Sequence, residues 1–299
     1  MRLKRSSRSA KNVAESEEQS NPEEPSPAAQ GGSLLQRFRN QNIDTSRVEV
    51  DDEDQLPPKV QAGSQEELKL LREMDALLPD PAKSAPTEFK LMSLRGRKYD
   101  PVRAAKLFPD FLDLMQEFDV EHMSPELARD LKTCKIRILG TKDSRGRLLI
   151  NIRLRLHNPK ECPAKQMARL ISFVLFRALK DVDVQRHGVC ILQDFTGIGL
   201  KNLDPSVFKY VTGSVLPRIP IRVYRVVIFN PPFIFGKIVL PIIFSFLSSK
   251  LKSRLKVVNS DNVTKIHSIY PPEMLSQHYQ GTVAFDEEEW VDGILSQYS

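Results

Sequence analysis

Apolar residues fall at helical spacing in the first third of the globular stretch and at strand spacing after it. Ser64 precedes QEELKLLREMDALL, and Glu67 three residues on completes a capping box, which predicts a helix. Pro79, Pro81 and Pro86 then break the chain. A second helical region begins near Thr87 and closes in a turn at GRKYD. Pro101 sits well at the first position of a third helix. In it Ala104, Leu107, Phe108, Phe111, Leu112, Met115 and Phe118 share one face.

From Thr133 the period changes. CKIRILG and RLLINIRLRL read as strands joined by a polar turn. In the second, Ile150, Ile152, Leu154 and Leu156 alternate with Asn151, Arg153 and Arg155, which predicts a half-buried strand. A long helix follows over Ala164–Asp181, then a buried strand at residues 188–194. Asp204-Pro205 starts another helix through Leu216. Residues 222–230 form a third buried strand and 255–260 a fourth. The expected fold class is α/β: a helical N-terminal subdomain, then a mostly parallel sheet alternating with helices.

Composition divides the 299 residues. Residues 1–65 are poor in aliphatics and rich in Ser, Pro, Glu, Asp and Gln, so a disordered tail is expected, with a short amphipathic helix over Ser33–Asn40. Residues 66–130 form the helical subdomain, 131–285 the sheet domain, and 286–299 an acidic C-terminal tail. The basic start lacks an apolar core after it and is no signal peptide. Cys134, Cys162 and Cys190 lie 28 residues apart with no CxxC, so buried thiols are expected rather than a zinc site or a disulfide framework.

Charge is local. Residues 201–260 carry ten Lys/Arg against one acid, Asp204, whereas residues 261–299 carry one Lys against seven acids. A basic face beside an apolar run suits anionic lipid head groups. The aromatics there sit within the apolar run rather than on a stacking face, which argues against nucleic acid.

That run, FNPPFIFGKIVLPIIFSFLSS, admits two readings, a membrane span or a lid over an apolar cavity. Asn230, Pro231, Pro232, Lys237 and Pro241 interrupt it, and residues 222–229 belong to a strand. The remainder, 233–247, is fifteen residues, against the roughly twenty a spanning helix needs. The lid is the better fit. Beyond it Leu247, Leu251, Leu255 and Val258 repeat at helical spacing, with Lys250/Arg254 and Lys252/Lys256 as i,i+4 cation pairs. Such a helix suits a membrane interface or an ordinary protein surface.

Four segments resemble the CRAL-TRIO lipid-binding and lipid-transfer family: LMSLRGRKYDPVRAAKLF, QRHGVCILQDFTG, the stretch from LPRIPIRVYRVVIFNPP through LKSRLKVV, and PPEMLSQHYQGT. Within the family, KDSRGRLLINIRLRLHNP is most similar to the branch fused to a non-receptor tyrosine phosphatase domain, with the tocopherol and retinal carriers next. No HCxxGxxR loop surrounds any cysteine, so phosphatase chemistry does not carry over. The resemblance implies an apolar pocket for one lipid under a gate helix, lined by Phe229, Phe233, Phe235, Ile238, Val239, Ile242, Ile243, Phe246 and Leu247. It also implies phosphoinositide contacts at Arg95, Arg222, Lys250, Lys252, Arg254 and Lys256. Tyr279-Gln280-Gly281 departs from the family's Tyr-Gly-Gly, and Pro231-Pro232 stiffens its usual turn.

The expected function is therefore a soluble, non-enzymatic carrier. It would bind one hydrophobic lipid, need no cofactor, and dock peripherally on anionic, phosphoinositide-containing membranes from the cytoplasm. The alternative is a lipid-sensing scaffold that recruits protein partners through its N-terminal tail. The five histidines are scattered, and no GxSxG, HExxH or phosphate loop accompanies them.

Overall fold

Ser64 caps helix α1 (Gln65–Leu77), its hydroxyl accepting from the Glu67 amide, as the capping-box pattern predicts. The computed structural model of the protein describes residues 60–232, 252–259 and 263–298. After α1 come α2 (Thr87–Gly96), α3 (Pro101–Phe118) and α4 (Pro125–Lys132). Asp100 and Ser124 cap α3 and α4 with Pro at the first position of each, pairing a side-chain acceptor with a residue that needs no amide partner. Phe108, Phe111, Leu114 and Phe118 of α3 are fully buried, and Phe89 of α2 meets Phe111 edge-on at 6.5 Å.

Five strands follow in the order β1-β2-β3-β4-β5: Ile136–Lys142, Leu148–Arg153, Val189–Asp194, Val223–Phe229 and Leu255–Val258. Only the β1–β2 pair is antiparallel; the other three pairs are parallel. Helices α5 (Ala164–Ala178) and α6 (Val182–His187) connect β2 to β3. Helix α7 (Pro205–Tyr210), continued by a wider π turn over Val211–Val215, lies between β3 and β4.

The sheet has two unlike faces. One presents Ile136, Ile150, Ile152, Ile191, Val223, Val226 and Leu255 toward α5 and α7. The other presents Leu149, Cys190, Leu192, Val227, Phe229 and Val258, packed on Ile266, Tyr270, Met274, Leu275 and Tyr279. The C-terminal segment thus covers the face that the alternating pattern of β2 left to solvent. All six β2 residues are buried, including Asn151 and Arg153. The strand also ends at Arg153, and Leu154–Leu156 form a 3-10 turn rather than continuing it.

Three further expectations change. The acidic C-terminal tail is a folded element: helix α8 (Glu287–Leu295) buries Val291 and Ile294 in the main core, and Glu287 bonds Arg137 at 2.5 Å and Arg153 at 2.7 Å. The helical face drawn through Leu255 and Val258 does not exist, because both lie on β5, where Leu255 pairs with Val226 and Val258 with Phe229. Lys256 is on the same strand, so it forms no helical pair with Lys252. Residues 1–59, with the expected Ser33–Asn40 helix, lie outside the described residues.

Candidate functional site

The aliphatic face of the sheet and the helices opposite it enclose a cavity of about 390 Å³. Helix α5 contributes Met167, Ile171, Val174 and Leu175, and the α7 region contributes Val207, Phe208, Val211 and Leu216. No Lys or Arg is among the described lining residues; the polar members are His157, Gln193, Asn202, Asp204 and Thr212. Three of these are committed to the backbone, Thr212 by donating to the Phe208 carbonyl at 2.8 Å. Asp204 caps α7, accepting from the Ser206 amide at 2.9 Å, and Asn202 donates to the His157 and Arg155 carbonyls. The cavity is the apolar pocket type that suits a hydrophobic ligand.

A second feature lies where three chain segments converge. The end of α2 packs so closely on the segment before β4 that a Cβ at Gly96 would meet the Pro220 carbonyl oxygen at 2.0 Å. Gly188, in the left-handed region at φ +86°, presses equally on Arg222: a Cβ there would meet its carbonyl oxygen at 2.2 Å. That oxygen also accepts from the Val189 amide at 2.8 Å. These close approaches gather Arg97, Arg186 and Arg222, all half-buried, at one end of the sheet.

None of the three is ion-paired among the described residues. The Nε and Nη2 of Arg222 and the Nε of Arg186 are buried without hydrogen-bond partners, although Arg186 Nη2 donates to the Val60 carbonyl at 3.0 Å. Burial lowers the Arg222 pKa to about 10; the Tyr99 hydroxyl opposes this, and Arg97 and Arg186 add to it. Arg222 still carries its charge at neutral pH. Burial and Arg103 likewise lower the Arg97 pKa, and burial, Arg186 and Arg222 lower that of His187. Half-buried guanidinium groups repelling one another are costly unless an anion meets them, and a phosphate group matches their donors.

The residue-level expectations divide accordingly. Arg222 stands at the cluster's centre. Arg95 does not face it: the side chain is buried, donating to Glu67 at 2.7 and 2.8 Å and to Gln185 at 2.6 Å, and so joins α1, α2 and α6. The arginine of Leu-Arg-x-Arg that reaches the cluster is Arg97, just past the end of α2. Arg254 donates to the Val223 carbonyl at 2.5 Å, tying the start of β5 to β4; Lys252 is exposed and Lys256 half-buried. Phe229 is on the wrong face for the cavity, packed edge-on against Tyr279 at 5.4 Å. Lys250 and the gate positions Phe233, Phe235, Ile238, Val239, Ile242, Ile243, Phe246 and Leu247 lie outside the described residues. Arg186 and Gln193 escaped sequence reasoning because neither carries a motif of its own.

A family model for the CRAL/TRIO domain matches residues 131–281. The chain belongs to the CRAL/TRIO family. Its members typically bind or transfer lipids. The chain is 26% identical over 207 residues to human tyrosine-protein phosphatase non-receptor type 9, covering 68% of this chain and 34% of that one. It is 28% identical over 219 residues to human alpha-tocopherol transfer protein-like, covering 71% and 64%. It thus spans about a third of the phosphatase and under two thirds of the tocopherol relative. The crystal structure of Sfh5 superposes with a TM-score of 0.51 at 14% identity, covering 80% of this chain and 98% of that one, a likeness of fold. Among the described residues, no helix is long and apolar enough to cross a membrane.

Proposed function

We propose that this CRAL/TRIO protein is a lipid carrier that docks on phosphoinositide-containing membranes through Arg97, Arg186 and Arg222. The observation that carries the docking half is the half-buried Arg222 guanidinium with two buried, unpartnered nitrogens and two neighbouring arginines. A phosphomonoester offers several acceptor oxygens to such a cluster, whereas a diffuse anionic surface offers one charge per lipid. The carrier half rests on the cavity and the family. The ligand sits among aliphatic side chains much as it would among acyl chains, so exchange with a bilayer is nearly balanced in free energy.

Vesicle flotation tests the docking. Phosphatidylcholine vesicles with a few percent phosphatidylinositol bisphosphate are compared with vesicles matched in charge by phosphatidylserine. The wild type is expected to prefer the bisphosphate, and Arg222→Gln or Arg97→Gln to lose about tenfold in affinity, roughly 1.4 kcal/mol, a typical charge-assisted hydrogen bond. Equal binding to both vesicle types, or no loss in either variant, refutes it. Donor-to-acceptor transfer of a fluorescent lipid tests the carrier half. Binding without transfer identifies a lipid-sensing scaffold instead.

A further inference from the structure

The cavity wall carries one polar residue where its neighbours predict an aliphatic one. On β3 the register places Gln193 between Ile152 of β2 and Ile228 of β4. Every other sheet residue lining the cavity is Ile, Val or Leu, while Gln193, at the centre of the sheet, brings a carboxamide with two donors and an acceptor. No described residue hydrogen-bonds that amide. Its counterparts in the wall, Asn202, Asp204 and Thr212, are bonded to the backbone, so on the sheet Gln193 is left to serve a ligand.

The rest of the lining limits what that ligand can be. Among the described lining residues no Lys or Arg is present to meet a phosphate or a carboxylate. The second unpartnered group, His157, is almost fully buried, with both ring nitrogens free of hydrogen bonds. Burial, and next Lys135, hold its pKa below the ordinary 6.5, so the ring offers a hydrogen bond but no charge. An anionic head group drawn against these residues would lose its water and gain no counterion from them.

We infer that the cavity selects an uncharged lipid bearing a hydroxyl or carbonyl oxygen, and that the Gln193 carboxamide is the group that binds that oxygen. This rests on the carrier reading above and adds to it a ligand class and a specificity-determining residue. Phosphate recognition then belongs to the arginine cluster and oxygen recognition to the cavity, two separate sites on one chain.

A graded series separates the terms: the single-chain octadecane, octadecanol and stearate, and the two-chain phosphatidylcholine, each delivered from cyclodextrin to the full chain and quantified by native mass spectrometry. The wild type is expected to hold octadecanol about tenfold more tightly than octadecane, the equivalent of one good hydrogen bond, and to discriminate against stearate and phosphatidylcholine. Gln193→Leu is expected to bind both neutral lipids alike. Its binding of octadecane then shows that the cavity is intact. Retention of the alcohol preference by Gln193→Leu overturns the assignment. Wild-type binding of octadecane, stearate or phosphatidylcholine as tight as that of octadecanol overturns the ligand class while leaving the carrier reading in place. If none of the four binds saturably, the carrier reading fails and this inference with it.

Discussion

Removing the Glu67 carboxylate is the sharpest test of what Arg95 does. The carboxylate is only 2% exposed and accepts from Arg95 Nε at 2.7 Å, Arg95 Nη2 at 2.8 Å and the Gly63 amide at 2.7 Å. The Arg95 side chain is 9% exposed, so Glu67→Ala strands a guanidinium where water barely reaches it. Breaking one partner of a buried pair costs about 3–5 kcal/mol. At about 2–4 °C per kcal/mol for a domain of this size, the melting temperature should fall by roughly 6–20 °C in calorimetry. The double replacement Glu67→Leu with Arg95→Met removes both charges at similar volume and should recover most of the loss. Burial raises the Glu67 pKa, but the Arg95 and Gly63 bonds outweigh it and leave it below 4.5. The pair's contribution is therefore complete above pH 4.5 and declines on acidification below it.

The same double variant settles the functional question. If Arg95 is a structural tie, the variant floats with bisphosphate vesicles as the wild type does, while Arg222→Gln does not. A Glu67→Ala loss under about 1 kcal/mol, within the range of a surface ion pair, would refute the structural argument. A double variant that folds yet loses vesicle binding as fully as Arg222→Gln would return Arg95 to the head-group site.

Phe229→Ala should cost about 3–5 kcal/mol by opening a hole against Tyr279, with lipid loading unchanged in the variant where it remains folded; a selective loss of loading would place Phe229 on the cavity after all. Stability should also fall as pH drops below about 6.5. His157 and His187 are held neutral by burial, so the unfolded chain binds more protons there than the folded one. Denaturant titrations between pH 7.5 and 5.5 check this, and His157→Phe should flatten part of the slope; no change in slope would show that the ring is not held neutral.

The strands were legible because a buried parallel sheet writes itself as short β-branched runs between turn signals, and β3 and β4 fall within a residue of those runs. What stayed hidden depends on partners remote in sequence. Asn151 and Arg153 look solvent-facing until Tyr279 and Glu287 return to cover them from 128 and 134 positions away. The choice between Arg95 and Arg97 is of the same kind. Two residues apart at a helix end, one side chain turns inward to Glu67 and the other leaves the helix toward Arg222, and nothing local says which. The gate positions 233–247 and Lys250, which carried much of the expectation, fall outside the described residues.

Two of the segments that carry the family resemblance meet on the side of the sheet away from the cavity. The Tyr279 hydroxyl donates to Asp194 Oδ2 at 2.9 Å and accepts from Asn151 at 3.0 Å, while Asp194 Oδ1 accepts from the Thr196 amide at 2.8 Å. Burial and the Asp194 charge raise the Tyr279 pKa, so the phenol stays protonated and the bond holds throughout the neutral range. The recognisable residues are therefore the rear brace of the cavity floor rather than its surface. Strand alternation then separates two tasks within one dipeptide: Asp194 points back into this brace, and Gln193 points forward into the cavity. A change at Asp194 removes bonds of this brace, whereas a change at Gln193 alters the cavity wall. This is why a motif on the braced face identifies the architecture and says nothing of the ligand, which is set by the opposite face of the same strands.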